Sequence, residues 1–141
     1  MAPKVSKIEV VVHFANGGRL TPEDFLLIDA IRTHRSIIGA GRATGISYRK
    51  CWLMVDALNR TFETPVFATY PGRKETGSEI TPFGERLVAL YRSIERRSRN
   101  GAAAALKELE GALNPGYQPR AGGGTGEQPK AAPRRLRSRQ S

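Results

Sequence analysis

A single cysteine, Cys51, stands among the 141 residues, with two histidines and one tryptophan. One thiol can neither close a disulfide within the chain nor build a cysteine zinc cluster, and His13 and His34 are too few for a ligand set. No metal and no other cofactor is therefore expected. Long apolar runs are also missing. Nothing approaches the roughly 20 residues of a membrane span, and Lys4, Lys7 and Glu9 interrupt the stretch MAPKVSKIEVVVHF before it takes signal-peptide form. A cytoplasmic protein without a membrane partner is the expectation. Catalytic patterns are equally sparse: no nucleophile stands with a base, and Gly122-Gly123-Gly124 lacks the flanking strand and helix of a phosphate-cradling loop. An enzyme is not expected.

Positive charge is what the chain has in excess. Lys and Arg number 23 against 13 Asp and Glu, a formal net charge of +10 with a pI near 10.5. Such a surface concentrates a polyanion, either nucleic acid or anionic lipid. Half of that net charge falls on residues 115–141, PGYQPRAGGGTGEQPKAAPRRLRSRQS, where Arg120, Lys130, Arg134, Arg135, Arg137 and Arg139 face only Glu127. Leu136 is nearly the only aliphatic side chain there larger than Ala, so too little apolar surface exists to offset chain entropy. A disordered basic tail over 115–141 is predicted, beyond a folded domain over 1–100 and a short helical extension over 101–114.

Within the folded part, Ile8, Val10, Val12 and Phe14 alternate with Glu9, Val11 and His13, as on a half-buried strand. Asn16-Gly17-Gly18 turns the chain. In LTPEDFLLIDAIRTHRS, Thr21 reads as an N-cap and Pro22 as the first helical residue, with Glu23 and Asp24 complementing the helix dipole. Phe25, Leu27, Ile28 and Ile31 form its buried stripe. Ser36 caps a second, short helix through Thr44 that stops at Gly45, and Ser47 caps a third in which Trp52, Val55, Leu58 and Phe62 recur at helical spacing. Arg49, Lys50 and Met54 fall off that stripe. Pro65 ends the third helix; VFATY and SEI follow as strands around PGRKETG, a hairpin with Arg73 and Lys74 at its tip. Thr81 and Pro82 open a last helix with Phe83, Leu87, Leu90, Tyr91 and Ile94 on one face, and Ala102–Leu113 extends it after a break at Gly101.

Two helices joined by a glycine-containing turn meet the requirement of a helix-turn-helix. The order strand, helix, helix-turn-helix, hairpin, helix is that of a winged helix-turn-helix, a mainly α fold with a small β-hairpin. The third helix is then the candidate recognition helix, and Ser47, Tyr48, Arg49 and Lys50 occupy the N-terminal half that reaches base edges in the major groove.

The segment SIIGAGRATGISYRKCWLMVDALNRTF, with ITPFGERLVALYR after it, resembles the N-terminal DNA-binding domain of ModE, the molybdate-responsive bacterial regulator, itself similar to the LysR-type winged helix. Gly45-Ile46-Ser47-Tyr48-Arg49, Trp52, Asp56, Leu58-Asn59 and Thr81-Pro82-Phe83-Gly84 carry the resemblance, which covers roughly residues 20–97. It implies transcriptional control through double-stranded DNA, usually by a homodimer. The family's wing is commonly glycine-rich, whereas this one reads Pro71-Gly72-Arg73-Lys74-Glu75-Thr76-Gly77. The family's molybdate site lies in C-terminal β-domains for which these residues leave no room, so molybdate binding is not expected.

Arg49 is the expected base reader, because its fork matches guanine O6 and N7, while Lys50 serves as a phosphate charge. Paired cations on a helix are most often a solvated face; the capped turn just before them favours DNA contact here. Tyr48 either packs on the turn or donates its hydroxyl to a phosphate. Ser36 and Ser47 are caps whose helix N-termini also offer N–H groups to phosphates, and Arg42, Arg73 and Lys74 are expected backbone contacts. Trp52 and Cys51 read as core, Asp56 and Asn59 as structural hydrogen-bonding residues, and Leu26 and Val88 as dimer contacts or simply broader burial. The competing functions are a nucleoid-type or RNA-binding protein that binds mainly through its tail, and a winged-helix adaptor for other proteins.

Overall fold

The computed structural model describes residues 6–69 and 77–120. The hairpin tip with Arg73 and Lys74, and the tail from residue 121 on, lie outside the described residues. The element order is β1 (Val12–His13), β2 (Arg19–Leu20), α1 (Pro22–His34), α2 (Ile37–Thr44), α3 (Tyr48–Thr61), β3 (Phe67–Thr69), β4 (Ser78–Ile80) and α4 (Pro82–Gly111). The fold is mainly helical with two small antiparallel sheets, an arrangement compatible with a winged helix. The chain divides into the units Met1–Ala105 and Leu106–Ser141.

In the first unit, the alternation from Ile8 to Phe14 is present as alternating half-buried and exposed side chains. Only Val12 and His13 pair, with Leu20 and Arg19, across the turn at Gly17, whose φ of 94° suits glycine. A Cβ on Gly18 would come within 2.5 Å of the Thr61 side chain, and Asn16 Nδ2 donates to Thr61 O at 3.0 Å. The hairpin is thereby fastened to the end of α3.

Helix α1 begins with a complete capping box: Thr21 Oγ1 accepts from Asp24 N at 3.2 Å and Asp24 Oδ2 accepts from Thr21 N at 2.9 Å. Phe25, Leu27, Ile28 and Ile31 are all buried as predicted, against Ile37 and Ala40 of α2, Cys51, Val55 and Leu58 of α3, Val66, Phe67, and Leu87 and Tyr91 of α4. Phe25 and Tyr91 stack at the centre, centroids 3.8 Å apart and planes 4° from parallel. Tyr91 Oη donates to Val10 O at 2.6 Å, which anchors the N-terminal strand to α4.

Three details of the predicted stripes are corrected. Cys51, not Trp52, takes the innermost position of α3; Trp52 is half-buried at its edge, and Met54 packs on the core from the other edge. On α4 the buried line is Gly84, Leu87 and Tyr91, spaced 3 and 4, which turns Leu90 (43% exposed) and Ile94 (41%) outward. Helix α4 also runs unbroken through Gly101. A glycine in a helix costs only about 1 kcal/mol relative to alanine, and four alanines, the best helix formers, follow it directly.

Asn59 acts structurally, as predicted. Its Oδ1 accepts from Val66 N and Phe67 N at 2.8 and 2.9 Å and its Nδ2 donates to Phe67 O at 3.2 Å, folding the chain after α3 back onto β3. Thr81 joins that loop to α4. Its Oγ1 donates to Pro65 O at 2.8 Å and accepts from Gly84 N at 2.9 Å. A Cβ on Gly84 would lie 2.6 Å from Val66 O, so the Thr81-Pro82-Phe83-Gly84 motif combines a cap with a close backbone approach. In the second unit the helix ends at Gly111, Gly116 N donates to Asn114 Oδ1 at 2.9 Å, and residues 107–120 are exposed.

Candidate nucleic-acid interface

The junction of α2 and α3 is built by local hydrogen bonds. Ser36 Oγ accepts from Gly39 N at 2.9 Å and Ser47 Oγ from Lys50 N at 3.1 Å, so both predicted caps are in place. Gly45 ends α2 at φ 82°, in the left-handed region. Thr44 Oγ1 donates to Ala40 O and accepts from Ile46 N, which holds the turn between the two helices. A Cβ on Gly41 would lie 3.0 Å from Ile46 O and 3.5 Å from Cys51 Sγ. The absent side chain lets α2 sit directly against the turn, and this contact helps set the rotation of α3.

Cys51 is fully buried beneath the turn, its thiol donating weakly to Ile46 O at 3.7 Å. Burial, and secondarily the Glu23 carboxylate, push the thiol above its ordinary pKa. A raised thiol pKa means little thiolate, so Cys51 behaves as a small core residue rather than a redox sensor.

That rotation points Tyr48, Arg49 and Lys50 to solvent. Lys50 Nζ is engaged by Glu23 Oε2 of α1 at 3.1 Å. Arg49 and Arg42 have no ion pair among the described residues. Tyr48, 50% exposed, packs edge-on against Trp52 with centroids 6.3 Å apart. It also borders a groove of about 380 Å³ lined by Ile38, Gly41, Arg42 and Ile46. Farther along α3, Asp56 and Arg60 pair at 3.1 Å. Unpaired positive charge on this helix therefore sits in its first turn.

One contact was missed by the sequence reasoning. Arg35, between α1 and α2, adopts φ 59° and caps α1 through its N–H to Ile31 O at 2.7 Å. Its guanidinium pairs with Glu79 of β4 at 2.7 Å, its carbonyl accepts from Ser78 N at 3.2 Å, and Ser36 bridges to Gly77. The base of the β3–β4 pair is thus tied to the N-terminus of α2. No local signal announces it, because a left-handed cap normally falls to glycine or asparagine.

A second cleft, of about 690 Å³, is lined by Asp29, Arg32, Arg35, Glu79 and Glu85 among others. Its arginines are engaged: Arg32 with Glu85 at 2.8 Å and Asp29 at 3.6 Å, Arg35 with Glu79. Among the described residues no group of three or more His, Cys, Asp or Glu could hold a metal ion, and no helix is long and apolar enough to cross a membrane.

No protein-family model matches the chain. It is 38% identical over 105 residues to the molybdenum-pterin-binding protein MopB of Rhodobacter capsulatus, across 74% of this chain and 37% of that one. It is 32% identical over 99 residues to the molybdenum transport protein ModE of Azotobacter vinelandii, across 70% and 35%. To the transcriptional regulator ModE of Haemophilus influenzae it is 27% identical over 94 residues, across 66% and 37%. The chain therefore spans little more than a third of the length of these relatives. Over the residues matched, the chain is thus similar to ModE and Mop proteins.

Proposed function

We propose that residues 1–100 form a winged helix-turn-helix that binds double-stranded DNA in a sequence-specific way and serves transcriptional regulation in the cytoplasm. In this reading α2 and α3 are the helix-turn-helix, the β3–β4 pair is the base of the wing, and the first turn of α3 enters the major groove. The observation that carries it is Arg49: an exposed guanidinium in the first turn of a capped helix, with no ion pair among the described residues. A relative named as a transcriptional regulator supports the same reading.

The roles follow from the chemistry of each group. Arg49 reads a guanine edge; Arg42, Arg73 and Lys74 hold phosphates, and Lys50 does so in competition with Glu23; Tyr48 donates its hydroxyl to a phosphate; and the N-termini capped by Ser36 and Ser47 present backbone N–H groups. A homodimer would use Leu26, Leu90 and Ile94, all exposed. Selection from a random pool of duplexes, followed by titration of the selected site, tests this. Arg49→Ala should cost about 1–3 kcal/mol on the selected duplex while scarcely changing binding to random DNA. Equal loss on both would count against base reading.

The charge on residues 115–141 favours a second reading, non-specific binding of DNA or RNA through the tail. Removing those residues separates the two. A specific regulator keeps its ranking of sequences and loses salt dependence, at about 0.9 of the log–log slope per phosphate released.

A further inference from the structure

The exposed face of α3 holds a side chain that charge does not explain. Arg49, Leu53, Asp56 and Arg60 are spaced 4, 3 and 4 and share one face, opposite the buried Cys51, Val55 and Leu58. On that face Leu53 is 55% exposed, an aliphatic group between charged neighbours. It contributes little to the core, which is filled without it. The charges around it are unevenly disposed. Arg49, one turn earlier, has no ion pair among the described residues, and Lys50 flanks it. Asp56, one turn later, pairs with Arg60 and presents a carboxylate to any approaching polyanion. The part of the face fit to meet DNA therefore begins at Arg49 and ends at Leu53.

We propose that Leu53 is a specificity-determining residue that contacts the C5-methyl group of a thymine in double-stranded DNA. This inference rests on the DNA-binding reading above and adds a base preference to it. Four residues of helix advance about 6 Å, close to two base-pair steps of about 3.4 Å. The thymine thus lies within two base pairs of the base read by Arg49. Only the major groove displays a methyl group, and an aliphatic side chain is its matching partner. Charge complementarity selects the occupant: an apolar partner protein would have to bury the Arg49 guanidinium, which has no ion pair among the described residues, whereas a DNA groove supplies both the methyl group and the phosphates.

The test replaces each thymine of the duplex selected from a random pool, one at a time, with deoxyuridine. The replacement removes the methyl and leaves every hydrogen bond. In the full chain one such replacement, within two base pairs of the position that Arg49→Ala desensitises, should weaken binding about four-fold, the value of one buried carbon. In Leu53→Ala the same replacement should change nothing, and the far-ultraviolet spectrum should match wild type because the side chain is exposed. Uniform indifference to deoxyuridine, or equal sensitivity in Leu53→Ala, would overturn the assignment while the DNA reading stands. A Leu53→Ala protein that sediments as a smaller species than wild type would place Leu53 in self-association and overturn it as well. If the pool yields no preferred sequence, the DNA reading falls and this inference falls with it.

Discussion

Glu23 Oε2 lies 3.1 Å from Lys50 Nζ, joining the first turn of α1 to the first turn of α3. Both side chains are about half exposed, so the pair adds at most about 1 kcal/mol to stability. Its larger effect is on the charge that α3 presents: a carboxylate occupies the ammonium that a phosphate would otherwise hold.

Glu23→Gln should therefore raise affinity for specific and random DNA alike. With Lys50 free to hold a phosphate, the slope of log K against log salt should steepen by about 0.9. Titrations at several salt concentrations measure it. An unchanged slope would mean that Glu23 does not keep Lys50 from a phosphate.

The Phe25–Tyr91 stack is expected to dominate the stability of the first unit. Tyr91→Ala opens a cavity beside Phe25 and should cost about 3–5 kcal/mol. Tyr91→Phe keeps the stack and loses only the bond to Val10 O, at about 1 kcal/mol. Urea unfolding of both variants gives the two values, and equal losses would show that the hydrogen bond rather than the stack is what counts.

Asp24 sets a pH dependence. Burial raises its pKa above the ordinary carboxylate value, opposed by the hydrogen bonds from Thr21. A folded-state pKa above the unfolded one means that its contribution to stability is full below the unfolded value of about 3.9. That contribution is lost as pH rises through the folded value. Asp24→Asn can still accept from Thr21 N without ionising. Its stability relative to wild type should therefore rise as pH climbs from about 4 toward neutrality, which urea midpoints across that range will show.

Calorimetry with molybdate and tungstate is expected to give no saturable heat with these 141 residues. An oxyanion needs several uncommitted donors in one cleft: in the larger cleft Arg32 and Arg35 are already held by Asp29, Glu85 and Glu79, and the smaller groove is lined by a single cation, Arg42. A stoichiometric site of micromolar affinity would refute the expectation.

Much of the fold was legible because its signals are local. Thr21, Ser36, Ser47 and Thr81 are each followed within three residues by the N–H they accept, and Gly45 ends α2 at the left-handed φ that a stop requires. Helix starts, the α2–α3 turn and the alternation from Ile8 to Phe14 are consequences of such short-range chemistry. Asn59 was recognisable as structural from its late place in α3, though not its partners.

What the sequence alone determined was where helices begin, that α2 stops at Gly45 and that the first turn of α3 carries two adjacent cations. Side-chain chemistry makes Arg49 the expected base reader and Lys50 the phosphate charge, but does not say which of them is already paired. Only the tertiary structure decides that, because Glu23, 27 residues away, comes to rest beside Lys50 and not Arg49. In the same way the sequence put both Cys51 and Trp52 in the core, and packing of α2 at Gly41 against the turn and Cys51 left Trp52 half-buried at the edge. Caps and periodicity are set by neighbours a few residues apart. The rotation of a helix and the partner of a charge depend on residues that only folding brings together.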